Sequence, residues 1–353
     1  MPTKKPANSQ ESKGMDTRHD MPLHRRGVAL VAVLLVIALI AAVIFEFNYD
    51  SRVQYQLADN LRASYQALHC AEAGLATASA ALARAGEEAP DEEMLGVLSG
   101  AVQVPLGKGY FTVSVAAERG KINVNDLKTP EGQLVRPRID QMLRLIDVLN
   151  SQYGERKPLR YSLVAAIIDW IDADDEVTIL PFVRGENAGA ESDYYQTLEK
   201  PYRCKNAQLE LLGELTLVKD MSREIFHGAA GTGEMPRTAG MKQFLTVYGD
   251  GKLNINEASV TMLQTLSERM TRALAESIVQ HRPYKNAREL SEVPGMTPDV
   301  LEEIQEFAGV QTNGEYYTVT ARGVADRCVR TLRVVVRRDR RKGRCVPLIR
   351  WEL

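Results

Sequence analysis

The sequence predicts an α+β fold in which one long N-terminal helix lies on an antiparallel sheet, and a large all-α domain of two tandem helical repeats interrupts that sheet. Three observations predict it. An apolar run from Val28 to Phe45 continues into apolar residues spaced by three and four. Segments of alternating character stand at both ends of the remaining chain. Between them, one short pattern occurs twice, about 130 residues apart.

From Val28 to Phe45 no side chain is charged or strongly polar. That is about 18 residues, enough to cross a hydrocarbon core of roughly 30 Å as a helix. A cleavable signal peptide has an apolar core of only about 7 to 15 residues, so the run reads as a lasting anchor. Ahead of it, Lys4, Lys5, Lys13, Arg18, Arg25 and Arg26 outnumber Glu11, Asp16 and Asp20. This bias holds residues 1–27 in the cytoplasm and sends the chain beyond Phe47 outward. Phe45, Tyr49, Val53, Leu57, Leu61, Tyr65, Leu68 and Leu75 then mark one helical face, with neither Pro nor Gly between Val28 and Ala73. One helix of about 50 residues, some 75 Å long, is expected. Its apolar face should be half buried against the sheet, because alanine and polar residues break the 3.5-residue seam of a coiled coil.

The chain as a whole, apolar run included, is 44% hydrophobic and 25% charged with a net charge of -2, which suits water-exposed domains with proper cores beyond the helix. Cys70, Cys204, Cys328 and Cys345 are too scattered for a zinc motif and too few for a disulfide scaffold. One bridge is compatible with an oxidising compartment, and spacing leaves its partners open.

After the helix, Ala101 to Leu106 and Tyr110 to Glu118 alternate as strands around a turn at Gly107, Lys108 and Gly109. Tyr316 to Ala325, Val329 to Arg338 and Cys345 to Leu353 read as three more, the last two pairing across Asp339 to Gly343. The intervening pattern is helical. "GKINVND" from Gly120 recurs as "GKLNINE" from Gly251, and "PYRCKNAQLELLGEL" from Pro201 recurs as "PYKNAREL" from Pro283, followed by "SEVPGM". "LVAAIIDWID" from Leu163 stands where "LAESIVQHR" from Leu274 stands in the second copy. The expected divisions are 1–27 leader, 28–47 membrane half of the helix, 48–118 first part of the sheet domain, 119–312 helical domain and 313–353 last part of the sheet domain. Within the helical domain, repeat one is 119–230 with an acidic loop at 172–200, and repeat two is 241–310.

The basic leader ending in Gly27, the apolar helix directly after it, and "LRASYQALHCAEAGLATASAAL" on its outer half resemble the type IV pilins and type II secretion pseudopilins. The pattern as a whole is similar to the large minor pseudopilins, which carry a helical domain inside a pilin-like fold. "DWIDADDE", "GAESDYY", the "NVN" and "NIN" turns and the basic final hairpin carry that likeness. The resemblance implies cleavage by a prepilin peptidase between Gly27 and Val28, with Val28 becoming a methylated first residue. It places Ala32 at the fifth mature position, where major pilins carry glutamate. It implies a single-pass inner-membrane protein whose outer domains are periplasmic, working in protein export rather than catalysis. Its partners would be the minor pseudopilins I and J, the major pseudopilin, the prepilin peptidase, the assembly platform and the secretin, and no nucleic acid.

Ala32 bears on position in the filament. The missing glutamate would neutralise a neighbour's N-terminal amine inside the membrane, where an unpaired charge costs several kcal/mol. A subunit that enters first has no earlier neighbour to meet. A helical domain of about 190 residues, roughly 40 Å across, would also collide with its copies along a tightly wound shaft. Both point to the filament tip.

Asp172, Asp174, Asp175 and Glu176, with Glu191 and Asp193 returning later, form an acidic cluster. Hard cations such as calcium take six to eight oxygens, so these carboxylates read either as ligands or as solvated acids at a helix end; the spacing is not an EF-hand. The family resemblance implies a structural calcium at this loop. Asp169, beside Trp170, reads as a capping or ligand-orienting carboxyl. "LNINEASVTMLQTL" with "SIVQHRPYKNARELSEVPGM" is also similar to the SAM-like and helix-hairpin-helix units of competence DNA receptors. Such hairpins present amides to phosphate. Here the hairpins read Pro294, Gly295, Met296, Thr297 and Leu212, Gly213, Glu214, Leu215, without the second glycine, which favours protein docking. Arg327, Arg330, Arg333, Arg337, Arg338, Arg340, Arg341, Lys342 and Arg344 form a basic stripe, read as a solvated edge or a dock for an acidic neighbour. The histidines, His19, His24, His69, His227 and His281, lie in unlike contexts, and no nucleophile or phosphate-loop motif accompanies them.

Overall fold

A computed structural model describes residues 23–84, 97–129, 131–156, 158–229, 238–249, 251–310, 315–339 and 341–353. Lys4, Lys5, Lys13 and Arg18 of the leader and Arg340 of the basic stripe lie outside the described residues. The described residues divide into two units, one up to Arg62 and one from Ala63 onward. Helix α1 (Leu23–Arg84) has residues in both and continues past Gly74, beyond the expected end. In the first unit its large apolar side chains from Val28 to Leu61 are exposed. A window of this helix has a mean hydropathy of 3.4, long and apolar enough to cross a membrane.

The second unit overturns the expected spine face. The buried residues of α1 are Ala63, Ala67, Cys70, Ala71, Gly74, Ala78, Ala81 and Leu82, whereas Tyr65 is exposed and Leu68 and Leu75 are half buried. The cause is the closeness of the sheet backbone. A Cβ on Gly323 would collide with the Ala67 carbonyl oxygen, so only small side chains fit at this contact. Tyr65 therefore stays outside the contact, while Leu75 packs at the margin of the helix–sheet core.

The sheet is antiparallel, in the order β1 (Val104–Leu106), β2 (Gly109–Ala117), β7 (Tyr316–Ala325), β8 (Cys328–Asp339), β9 (Arg344–Glu352). Ala101 to Gln103 stay outside β1, shortening the expected strand. Phe111, Val113, Val319, Ala321, Val334 and Val336 pack with Cys70, Ala78 and Leu82 of α1 in one core. The strand period of two sends intervening residues to the opposite face. This splits the basic stripe: Arg330 bonds Ser64 of α1 at 2.9 Å, and Arg338 is buried, while Arg333 and Arg337 belong to the other face. All four cysteines are free.

Between β2 and β7 the chain builds a second core from helices α2 (Arg136–Asn150), α3 (Ser162–Ile171), α4 (Ser192–Gln196), α5 (Arg223–His227), α6 (Val260–Gln264), α7 (Arg272–Gln280) and α8 (Pro298–Phe307). Helix α2 buries Ile139, Met142, Ile146 and Leu149 on one face; α3 is buried on every face, which its nearly unbroken apolar sequence requires. Ser259, Thr271 and Thr297 cap α6, α7 and α8 by accepting a backbone N–H.

The repeated Asn-x-Asn has a structural reason. Asn125 donates to the Leu209 carbonyl at 3.1 Å and accepts from the Leu209 N–H at 2.8 Å. Asn256 does the same to Tyr284, at 2.8 Å in both directions. The first Asn of each "NxN" ends one strand of a two-residue parallel ladder, β3 (Ile122–Asn123) with β4 (Leu245–Thr246), and β5 (Leu253–Asn254) with β6 (Ala308–Gly309). Leu245 and Thr246, expected within repeat two, thus pair with the opening of repeat one.

Candidate metal centre

Helix α3 ends where the acidic loop begins, and this end concentrates negative charge. Asp169 lies on its last turn and Asp172 is its C-cap, where the helix dipole already favours a cation. The loop then returns on itself: Leu180 N–H donates to Asn187 O at 3.1 Å, and Gly189 N–H donates to Thr178 O at 2.9 Å. That return carries Glu191, the N-cap of α4, back to the helix end. Gly189 permits the approach, since a Cβ there would strike the Asp169 carboxylate and sit 2.7 Å from Ala165 O. Beneath lies an aromatic layer, Trp170 edge-on to Tyr195 at 5.2 Å and Tyr195 stacked on Tyr202 at 5.2 Å.

One carboxylate oxygen each from Asp169, Asp172 and Glu191 lies within 4.8 Å of the others. All three residues are buried, with exposures of 0%, 7% and 3%. Among the described residues, Asp169 Oδ2, Asp172 Oδ1 and both Glu191 oxygens find no hydrogen-bond partner. Asp169 Oδ1 accepts from Thr178 N–H at 2.8 Å, which fixes the group's direction. Burial, then the charges of Asp169, Asp172 and Asp175, pushes Glu191 up to about 8. Burial likewise raises Asp172 to about 6, against the pull of Lys128. Asp169 is raised by burial as well. Crowded, desolvated carboxylate oxygens with lone pairs to spare fit a hard divalent cation.

Of the six residues expected as ligands, Asp172 and Glu191 converge, and Asp169 joins them. The other four do not. Asp174 is exposed; it accepts from Glu176 N–H at 2.9 Å and meets Lys128 Nζ at 3.3 Å. Asp175 accepts from Asn206 at 2.9 Å, and Glu176 and Asp193 face solvent. The loop also has a cation that local sequence does not reveal: Lys128 Nζ donates to Asp172 Oδ2 at 2.5 Å from 44 residues upstream. Asp172 and Asp174 open onto a surface cavity of about 480 Å³ that Lys128 and Asn206 also line.

The helical units present acidic hairpins. Glu214 of the first hairpin accepts from the backbone N–H of Glu210 at 3.0 Å and of Leu211 at 2.8 Å, so the chain's own carboxylate takes the amides just before the hairpin, and its other oxygen accepts from Lys205 Nζ at 2.7 Å. Helix α8, after the second hairpin, carries Asp299, Glu302, Glu303 and Glu306 and no basic residue.

Residues 120–230 match the family model for type II secretion system (T2SS) protein K, and residues 250–308 match that of the helix-hairpin-helix motif. Type II secretion system protein K of Pectobacterium carotovorum subsp. carotovorum is 25% identical over 269 residues, covering 74% of this chain and 77% of the relative. The protein of that name from Pseudomonas aeruginosa is 27% identical over 267 residues, covering 73% and 72%. That from Klebsiella pneumoniae is 31% identical over 216 residues, covering 58% and 60%. In fold, the chain is similar to one in the crystal structure of the GspK-GspI-GspJ complex from the enterotoxigenic Escherichia coli type 2 secretion system. The TM-score is 0.57 at 17% identity, over 86% of this chain and 99% of that one.

Proposed function

We propose that this chain, which belongs with the K proteins of type II secretion, is a non-enzymatic minor pseudopilin that starts the periplasmic filament and stands at its tip. The observation that carries this reading is the division of α1. Its first half bears only apolar side chains up to Phe45, the large ones exposed, with alanine rather than glutamate at position 32, and its second half is fastened to the sheet by small residues. An anchor without a membrane carboxylate suits the first subunit of an assembly. The anchor is read as crossing the inner membrane with the leader inside and the sheet and helical units in the periplasm, after cleavage between Gly27 and Val28.

By likeness to the solved complex, whose chains are GspK, GspI and GspJ, the immediate partners are minor pseudopilins I and J. The major pseudopilin, prepilin peptidase, assembly platform and secretin follow from the same role. Asp169, Asp172 and Glu191 would hold a calcium ion, which would supply the charge that closes the acidic loop against α3. The helix-hairpin-helix match favours a second reading, binding of duplex DNA. Glu214 in the first hairpin and the acids of α8 repel phosphate, so both units are assigned to protein docking. Duplex binding that weakens steeply with salt would reverse that assignment.

Immunogold labelling of filaments, together with Ala32→Glu, tests the tip. Label at filament ends, at one copy each, and a rise in copy number or shaft incorporation in Ala32→Glu are expected. Label spread along the wild-type shaft, or an unaltered stoichiometry in the variant, defeats the reading. N-terminal sequencing should return Val28; a chain cut beyond Phe47 would remove the anchor and the reading with it.

A further inference from the structure

The sheet has a second face, turned away from α1, and it forms the floor of a cleft. Arg333 pairs with Thr320 on one side and Trp351 on the other, and Val335 pairs with Thr318, so register sets these residues in two adjoining rows. Phe226, His227, Lys242 and Tyr248 of the helical segment line the same cavity, of about 520 Å³. Two cations face it without a carboxylate. Among the described residues no ion pair reaches Lys242 or Arg333, and Lys242 Nζ donates a hydrogen bond to His227 Nδ1 at 2.8 Å. Glu118, an acid on this lining, is already satisfied. Its Oε1 accepts from Lys121 at 2.7 Å and Thr318 at 2.6 Å, and its Oε2 from Thr246 at 2.6 Å.

We propose that this cleft binds an acidic, aromatic-bearing segment of a partner polypeptide, with a carboxylate received between Lys242 and Arg333 and an aromatic side chain against the partly exposed Trp351. Burial first, and the charge of Arg333 second, already lowers the Lys242 ammonium below its ordinary value. An incoming carboxylate relieves that like-charge repulsion and forms charge-assisted hydrogen bonds. A bare inorganic anion would leave the apolar rows uncovered, and a neutral apolar segment would leave the two cations unpaired. The site does not involve the carboxylates of the metal centre, so the two stand or fall separately.

Fluorescence anisotropy on the full chain in an uncharged detergent tests it, using a labelled octapeptide of alternating Glu and Phe and two companions with Lys or Gln in place of Glu. The acidic peptide should bind, the Gln peptide at least about 10-fold more weakly, and the Lys peptide not at all. Lys242→Glu and Arg333→Glu should each weaken the acidic peptide about 10-fold while leaving the melting temperature unchanged, since Arg333 is exposed and Lys242 half exposed. Trp351→Ala should weaken the acidic and Gln peptides together. Equal affinity for the three peptides overturns the proposal, as does acidic-peptide binding that ignores both charge reversals. So does charge-reversal-sensitive binding to anionic vesicles, or self-association of the chain, with no peptide binding.

Discussion

Glu191→Gln should stabilise the calcium-free protein at alkaline pH and abolish its response to calcium. With three carboxylate oxygens inside 4.8 Å, each pair of full charges costs about 3.5 kcal/mol at an effective dielectric of about 20. Three ionised groups would cost about 10 kcal/mol, so the set does not ionise fully at neutral pH without a cation. Glu191 carries most of that conflict, at about 8. Because its folded value lies above its unfolded one, its contribution is fully present below about 4.5 and is lost as pH rises through about 8, by at most about 5 kcal/mol. Glutamine removes the loss. In chelator the variant should match the parent near pH 5 and melt several degrees higher near pH 9. Calcium at 100 times its Kd should add about 2.7 kcal/mol to the parent, or about 4 °C, and little to the variant. Calorimetry in buffers of unlike ionisation enthalpy should show the parent releasing protons on binding. Equal parent melting temperatures in chelator and calcium would refute the reasoning, as would a variant that keeps the full calcium gain. Alkaline destabilisation by the variant in chelator would show that Glu191 has a favourable partner instead.

Two further outcomes follow from the packing. Burial raises Glu257 to about 7, so its contribution to stability is present below about 4.5 and is lost as pH rises through about 7, by at most about 3 kcal/mol. In Glu257→Gln, urea denaturation should show that slope flattened across the same window; an unchanged slope refutes it. Gly323→Val should cost about 3 kcal/mol or more by forcing β7 off α1, whereas Gly213→Val, with nothing within 4 Å of its Cβ position, should stay near neutral. Equal costs would show that the Gly323 contact relaxes freely.

Much of the fold was legible because local pattern and long-range structure agree. Strand alternation located β7, β8 and β9 almost to the residue, and the apolar run located the anchor. The spine face was misread because periodicity finds large apolar residues, while the contact with the sheet is chosen by smallness: Ala67 and Ala71 lie where the helix backbone nearly touches Gly323, and Gly74 leaves room for the side chains of Phe111 and Val113. At the candidate metal centre, counting acids located the loop, and the structure brings Asp172 and Glu191 of that count together with Asp169. Burial, rather than density of charge, separates Asp169, Asp172 and Glu191 from their exposed neighbours. A buried acid on an otherwise apolar helix was the signal for Asp169, and Lys128 gave none, since its approach to Asp172 depends on tertiary packing. The arginine stripe was one feature in sequence and two in space, because adjacent strand positions face opposite ways.

The pairing of β2 with β7 has a consequence for how such a chain could have grown. Ala117 opposes Tyr317, and Glu118 N–H donates to Tyr316 O at 3.0 Å, so the chain leaves the sheet and re-enters it at neighbouring positions. To the sheet, everything from Lys121 to Val310 occupies the place of a hairpin turn. The short ladders that join the opening and closing strands of each helical unit keep those ends together. Lengthening, duplicating or exchanging material at such a junction costs the host little chain entropy, because the inserted piece closes its own loop. Duplication of one ancestral unit within a turn would then have enlarged the protein without redrawing a single strand of its sheet.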